Sequence, residues 1–163
     1  MTREPTGRVA REGERVVLTL TREFRAPIED VWASVTESDR LARWIGTWTG
    51  DPTSGRVGFT MTAEGATEPD DMEIRECVPP RLLRLTSHLG WRLDLHLAEE
   101  DGVTTLTFTQ PDIDPVEAES VGPGWEYYLD RLVAAESNGD VDAIDFDRDY
   151  YPAMLEHYKR QLG

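Results

Sequence analysis

The side chains with the widest chemical reach are few in this sequence. His88, His96 and His157 are its 3 histidines. They fall on a strand end, the wet face of a strand and the last helical segment. None has a partner at the spacing that closes a coordination shell, so neither a metal nor a cofactor is expected. There is no Gly-x-Ser-x-Gly and no phosphate-cradling glycine loop, and the lone Cys77 has no histidine paired with it. Gly122-x-Gly124 is too short for a dinucleotide loop and reads as a bend in a helix. Cys77 lies between Ile74 and Val78, which predicts a structural, buried thiol, and a single cysteine suits a reducing compartment. General acid–base chemistry needs an inward titratable group. Glu76, Arg84 and His88 are the strand residues whose phase leaves that open.

What remains is the chemistry of recognition. Trp44, Phe59, Met61, Trp91, Leu93, Leu95, Trp125, Tyr128, Leu129 and Leu132 are the residues placed to line a cavity. Ligand pockets are largely apolar with a few polar groups, and Arg84, Thr86, His88 and Thr105 are the nearest candidates for those. Each apolar residue serves equally well as plain core. As a set they differ, because Trp N–H and Tyr O–H groups need partners when buried.

The element that positions them is a helix. Trp125, Tyr128, Leu129, Leu132 and Val133 stand at i, i+3, i+4, i+7 and i+8, one face of an α-helix, with Glu126, Asp130, Arg131 and Glu136 on the other. The helix is expected to begin near Val116. Its apolar face offers about 7–15 kcal/mol before ordering entropy, at roughly 1.5–3 kcal/mol per large side chain. A broad apolar surface must cover it.

Strands supply that surface. Residues 7–24 read as a hairpin turning at Glu12-Gly13. Pro27 opens a short helix with Ile28, Val31, Trp32 and Val35 on its apolar face, and a second short helix carries Leu41, Trp44 and Ile45 up to Gly46. From Gly55 to Gln110 the period changes to 2, most clearly in Trp91, Leu93, Leu95 and Leu97, with Asp101-Gly102 as a tight turn. The expected architecture is α+β: a curved antiparallel sheet of about six to seven strands around one long C-terminal helix, with two short helices after the first long strand. Residues 137–163 read as an acidic linker and a last helix packed on the outside.

The chain has 163 residues and a net charge of −15. That length predicts one domain. The charge argues against nucleic acid and against anionic membrane surfaces. No apolar run is long enough to span a bilayer, and the N-terminus lacks the apolar core of a signal peptide, so a cytoplasmic start is expected. The acidity provides solubility, or a face for a basic protein partner, and charge alone does not choose. Trp48 and the Tyr150-Tyr151 pair, if exposed, offer a dimer contact, so monomer and homodimer both stay open.

Taken together, Arg22-Glu-Phe-Arg-Ala-Pro-Ile-Glu-Asp-Val-Trp32, the segment Leu41-Ala-Arg-Trp44, Gly124-Trp125 and Leu129-Asp-Arg-Leu132 resemble the SRPBCC (START and birch-pollen-allergen-like) superfamily over residues 7–136. Within it the chain is most similar to bacterial single-domain relatives of the C-terminal domain of the heat-shock protein 90 ATPase activator. The resemblance implies a helix-grip fold and a cavity between sheet and long helix that takes a small apolar molecule, without catalysis. It also implies two alternatives: a co-chaperone-like role, and an enzyme of the cyclase or hydratase kind. The eukaryotic activator's chaperone-binding N-terminal domain has no counterpart in these residues.

Overall fold

The computed structural model describes residues 4–162. The first three residues, part of the expected cytoplasmic start, and Gly163 lie outside them. The chain folds as an 8-stranded antiparallel sheet of order β1-β2-β8-β7-β6-β5-β4-β3 with a long helix across it, the helix-grip arrangement. Its strands are β1 (Arg8–Glu12), β2 (Arg15–Phe24), β3 (Thr47–Thr49), β4 (Arg56–Thr60), β5 (Asp70–Val78), β6 (Leu82–Thr86), β7 (Arg92–Glu100) and β8 (Val103–Ile113). The helices are α1 (Ile28–Thr36), α2 (Ser38–Leu41), α3 (Pro115–Glu136), α4 (Phe146–Asp149) and α5 (Leu155–Leu162). None is long and apolar enough to cross a membrane.

The turns behave as their residues dictate. Asp101 and Gly102 take φ of 53° and 79° between β7 and β8, the left-handed pair that a two-residue hairpin turn requires. α3 starts where Asp114 accepts a hydrogen bond from the Val116 N–H and Pro115 fills the first turn. It runs through Pro123 as one 22-residue helix. One strand more than expected is present, because β3 has only three residues and its Thr-Trp-Thr shows too little alternation to read.

The sheet's inner face is set by register. Leu20 pairs with Phe108, Phe108 with Leu95, and Leu95 with Leu83, so these four share one face. The same face carries Leu18, Leu93, Leu97 and Leu106, and at the β2–β8–β7 half it is sealed, with Leu18 and Leu106 fully buried. Leu129 and Leu132 of α3 press on it at 1% and 0% exposure.

The residues after α3 are integral to the packing. Tyr150 and Tyr158 are fully buried, and Met154 is 2% exposed. The Tyr158 ring fills the space beside Gly7 and Gly122, where a Cβ would come within 2.1 and 2.4 Å of it. α5 also closes the sheet edge. The Gln161 side chain accepts from the Val9 N–H at 2.7 Å and donates to the Gly7 carbonyl at 3.1 Å, the two bonds a neighbouring strand would make. At the opposite edge the Ser38 hydroxyl does the same for Trp48, accepting from its N–H at 2.9 Å and donating to its carbonyl at 3.1 Å.

Several expectations are corrected here. Tyr150 is fully buried and Trp48 is half-buried, its indole N–H donating to the Thr36 carbonyl at 2.7 Å, so of the proposed dimer contact only Tyr151 is exposed. Cys77 is exposed. It pairs across from Leu83 at the rim of the sheet, just before the Pro79-Pro80 turn, and that position leaves the thiol in solvent. Glu126 is the largest departure. Assigned to the wet face of α3, it is completely buried, because the segment after α3 covers that face and supplies it with hydrogen-bond partners.

Candidate functional site

The inner face is not covered evenly. At the β4–β5–β6 half, Val57, Phe59, Met72, Ile74 and Leu85 are only half-buried, as are Met61 and Trp91 in the adjoining loops. Phe59, Met61, Ile74, Leu85 and Trp91 pack against the core without being enclosed by it. Trp125, on α3, is half-buried as well. This half of the inner face is therefore a strip of half-covered apolar side chains. Large apolar side chains in that state are unusual as a group, since burial of each would be worth roughly 1.5–3 kcal/mol.

One row of residues crosses the inner face from this strip. Ile74 pairs with Leu85, and Leu85 with Leu93. Asp94 pairs with Thr109, which sets Leu93 beside Gln110. Gln110 pairs in turn with Leu18. Over this end lies Trp125, whose ring stands 4.4 Å from that of Phe108 and whose indole N–H donates to Gln110 Oε1 at 2.8 Å.

A second polar contact lies nearby on α3. Tyr128 donates its hydroxyl to Glu64 Oε2 at 2.5 Å, tying the loop after β4 to α3. Burial raises the phenol, and the Glu64 carboxylate as acceptor raises it further, so it stays a neutral donor.

α3 is held in place by a buried ionic cluster. Arg22 follows Leu18 and Leu20 at alternate positions and so faces inward. Its Nη2 meets Glu126 Oε1 at 3.1 Å and its Nε meets Asp130 Oδ1 at 2.9 Å. Glu126 also accepts from the Thr6 and Gly7 N–H groups at 2.8 and 3.0 Å, from the Thr6 hydroxyl at 2.7 Å and from Tyr158 at 2.6 Å. Burial alone would raise the Glu126 carboxyl, but these hydrogen bonds outweigh it and hold the group below its ordinary value. Such a cluster fixes the pose of the helix, and with it Trp125 one residue away.

The residues singled out from sequence divide sharply. Phe59, Met61, Trp91 and Trp125 are half-buried, and Tyr128 is buried with its hydroxyl on Glu64. Leu93 and Leu95 are buried on the inner face at 7% and 8% exposure. Trp44, Leu129 and Leu132 are core; the Trp44 indole N–H is spent on the Ser34 carbonyl at 2.9 Å. The polar candidates lie elsewhere. Arg84 pairs with Asp94 and Glu76, and Thr86 with Arg92, across the outer face, opposite in pleat to Leu83 and Leu85. Thr105 pairs with the exposed Ala98 on the same outer side. His88 sits in the exposed turn before β7, its Nε2 3.7 Å from Asp70. Arg84 and Glu76 meet at 3.4 Å, open to solvent.

Gln110 is an inward-facing polar residue that the strand reading passed over, and its signal was available. Leu106, Phe108 and Gln110 stand two apart on one strand, so the phase that turns the first two inward turns the third inward too. A separate hollow of about 370 Å³ opens on the outer face, lined by Glu12, Arg15, Arg92, Pro111 and Asp112. Arg15 and Asp112 meet there at 3.4 Å with both side chains at least half-exposed.

Comparison with known proteins adds three findings. The family model described as "Activator of Hsp90 ATPase homolog 1-like protein" matches residues 25–136. Comparison with curated proteins gives no match. Among solved structures, CalU16 from Micromonospora echinospora is similar at a TM-score of 0.69 and 22% identity, over 98% of this chain and 97% of that one. A conserved protein of unknown function from Enterococcus faecalis is similar at a TM-score of 0.74 and 20% identity, over 98% and 90%. A protein from Bordetella parapertussis follows at 0.66 and 22%, over 97% and 90%. At these identities the likeness is one of fold.

Proposed function

This chain belongs to the activator of Hsp90 ATPase homolog 1-like family, and from that premise we propose that it binds a small apolar molecule in the groove between β4–β6 and α3, without catalysis. The observation that carries this reading is the asymmetry of the inner face. One half is sealed to 0–8% exposure, while Phe59, Met61, Ile74, Leu85 and Trp91 on the other are left half-covered. A fold that needed only stability would close over them.

Titration with the neutral fluorophore Nile red tests it. One saturable site is expected, lost in Ile74→Arg and Leu85→Arg and unchanged in Thr109→Arg on the outer face. Equal effects from all three, or none from the groove substitutions, refute the proposal.

The competing reading is docking of a basic protein on the acidic surface, where Asp142 and Asp147 are exposed beside Asp140 and Asp145. Asp140 and Asp145 also cap the turns that follow them, so part of this acidity serves local structure. Docking of that kind weakens steeply with salt, whereas groove binding of a neutral molecule does not.

A further inference from the structure

The last turn of α5 holds the edge of β1 through three atoms that crowd one another. Gln161 Oε1 accepts from the Val9 N–H at 2.7 Å, which fixes the amide with Nε2 on its other side. That Nε2 stands between two acceptors, the Gly7 carbonyl at 3.1 Å and His157 Nε2 at 2.7 Å. His157 Nε2 in turn lies 2.8 Å from the same Gly7 carbonyl. A histidine nitrogen accepts or donates, never both at once. The neutral ring can carry its proton on Nδ1 and leave Nε2 bare for Gln161. The protonated ring has no such choice: its Nε2–H takes the Gly7 carbonyl and opposes the Gln161 N–H across 2.7 Å. One proton removes both acceptors of Gln161 Nε2, and the Val9 N–H loses its cover as the amide leaves. His157 is half-buried, within reach of solvent protons.

We propose that the β1 edge is a self-association surface gated by His157: acid releases the last turn of α5, and the uncovered Val9–Arg11 edge pairs antiparallel with β1 of a second copy. Gly7 and Val9 turn their backbone groups outward, so by alternation Arg11 does too. Two-fold pairing of this edge sets Val9 against Arg11 of the second copy, Ala10 against Ala10, and Arg8 against Glu12 twice. Arg8, Ala10 and Glu12 share the outer face and are exposed, so both Arg8–Glu12 contacts form across the dyad. Charge thereby selects the occupant. A chain of net charge −15 repels its own copies, and on this edge opposite charges meet when it pairs with itself.

The neighbours of His157 leave the response to it. Glu126, on the Gly7 N–H, is held below its ordinary value, and Tyr158, whose ring stands 4.9 Å from that of His157, is raised above its own. Both therefore keep their state where histidines titrate. Arg11, bonded to the Leu162 carbonyl, and Arg22, bonded to Glu126, are permanent cations. On α5 itself Glu156, Lys159 and Arg160 are exposed.

Sedimentation velocity of the full chain at about pH 8 and about pH 5.5 reads the gate. A monomer is expected at the higher pH and a concentration-dependent dimer at the lower. The dimer constant should tighten by roughly tenfold or more, the value of one polar group left without its partner. Variants separate this from general association of an acidic chain as acid reduces its charge. His157→Gln, which takes no proton in this range, is expected to stay monomeric at both pH values. Arg8→Glu, which sets like charges opposite at both pairs, is expected to lose the dimer, and adding Glu12→Arg to recover it. The same oligomeric state at both pH values overturns the proposal. Acid association that persists in His157→Gln, or that is indifferent to Arg8→Glu, overturns it too. The unaltered chain and the exposed Arg8 decide without His157→Gln, so a variant that fails to fold does not protect the proposal.

Discussion

Replacing Glu126 by Gln isolates what the buried cluster contributes. In the folded chain Glu126 Oε2 receives the Thr6 N–H, the Gly7 N–H and the Tyr158 hydroxyl, while Oε1 receives the Thr6 hydroxyl and Arg22 Nη2. An amide of the same size keeps one oxygen and turns an NH2 group toward donors on the other side. The least costly orientation keeps the oxygen toward Thr6, Gly7 and Tyr158 and sacrifices Arg22, which retains Asp130 at 2.9 Å. Breaking a buried ion pair on one side costs about 3–5 kcal/mol, and the surviving Asp130 contact trims that to roughly 2–4 kcal/mol. For a chain of this size each kcal/mol moves Tm by about 2–4 °C, so Tm at pH 7 should fall by roughly 5–15 °C. The pH dependence carries a sign. The folded carboxyl lies below its ordinary 4.5, so its contribution is fully present above pH 4.5 and fades as pH falls through the folded value. The gap between the two proteins should therefore narrow in acid. Thermal melts followed by circular dichroism between pH 7 and 3 read both effects. A gap that stays constant with pH, or a Tm within about 2 °C of the unaltered chain at pH 7, refutes the account of the cluster.

Three further outcomes follow from the packing. Gly122→Ala should destabilise by about 1–3 kcal/mol in urea unfolding, because its Cβ would press on the Tyr158 ring, whereas Gly124→Ala, which meets nothing within 4 Å, should stabilise by up to about 1 kcal/mol through helix propensity. Gln161→Leu strips the bonds that close the β1 edge, so sedimentation analysis should show concentration-dependent association absent from the unaltered chain. Cys77 should react with a maleimide in the folded state, at a rate that rises with pH through a midpoint above that of a free thiol, since partial burial raises its pKa; complete protection would contradict its exposed position.

Period and phase made most of the fold legible. The alternation in Trp91-Arg-Leu-Asp-Leu-His-Leu97 and the helical spacing from Trp125 to Val133 correspond to β7 and α3, and the start expected near Val116 lies one residue from the observed Pro115. What was not legible depends on contacts far apart in sequence. Glu126 looks like surface on its own helix and becomes a buried hub only because Thr6, Gly7 and Tyr158, up to 120 residues away, close on it. Arg22 is inward by strand phase, yet an inward arginine is credible only once Glu126 and Asp130 are known to face it. Within β5 the bulge between Ile74 and Glu76 resets the alternation, so the phase read from Met72 and Ile74 does not carry on to Glu76 and Cys77. The difference in coverage between the two halves of the sheet is recorded by no single strand. Gln110 is the instructive omission, since its phase was plain and its amide was passed over for more reactive side chains.

Native mass spectrometry of the protein purified from its own host, with gentle release and identification of anything bound, tests the central claim most directly. A stoichiometric, neutral, largely apolar molecule is the predicted result. A clean unliganded mass, together with no thermal shift across a panel of apolar molecules, would contradict it.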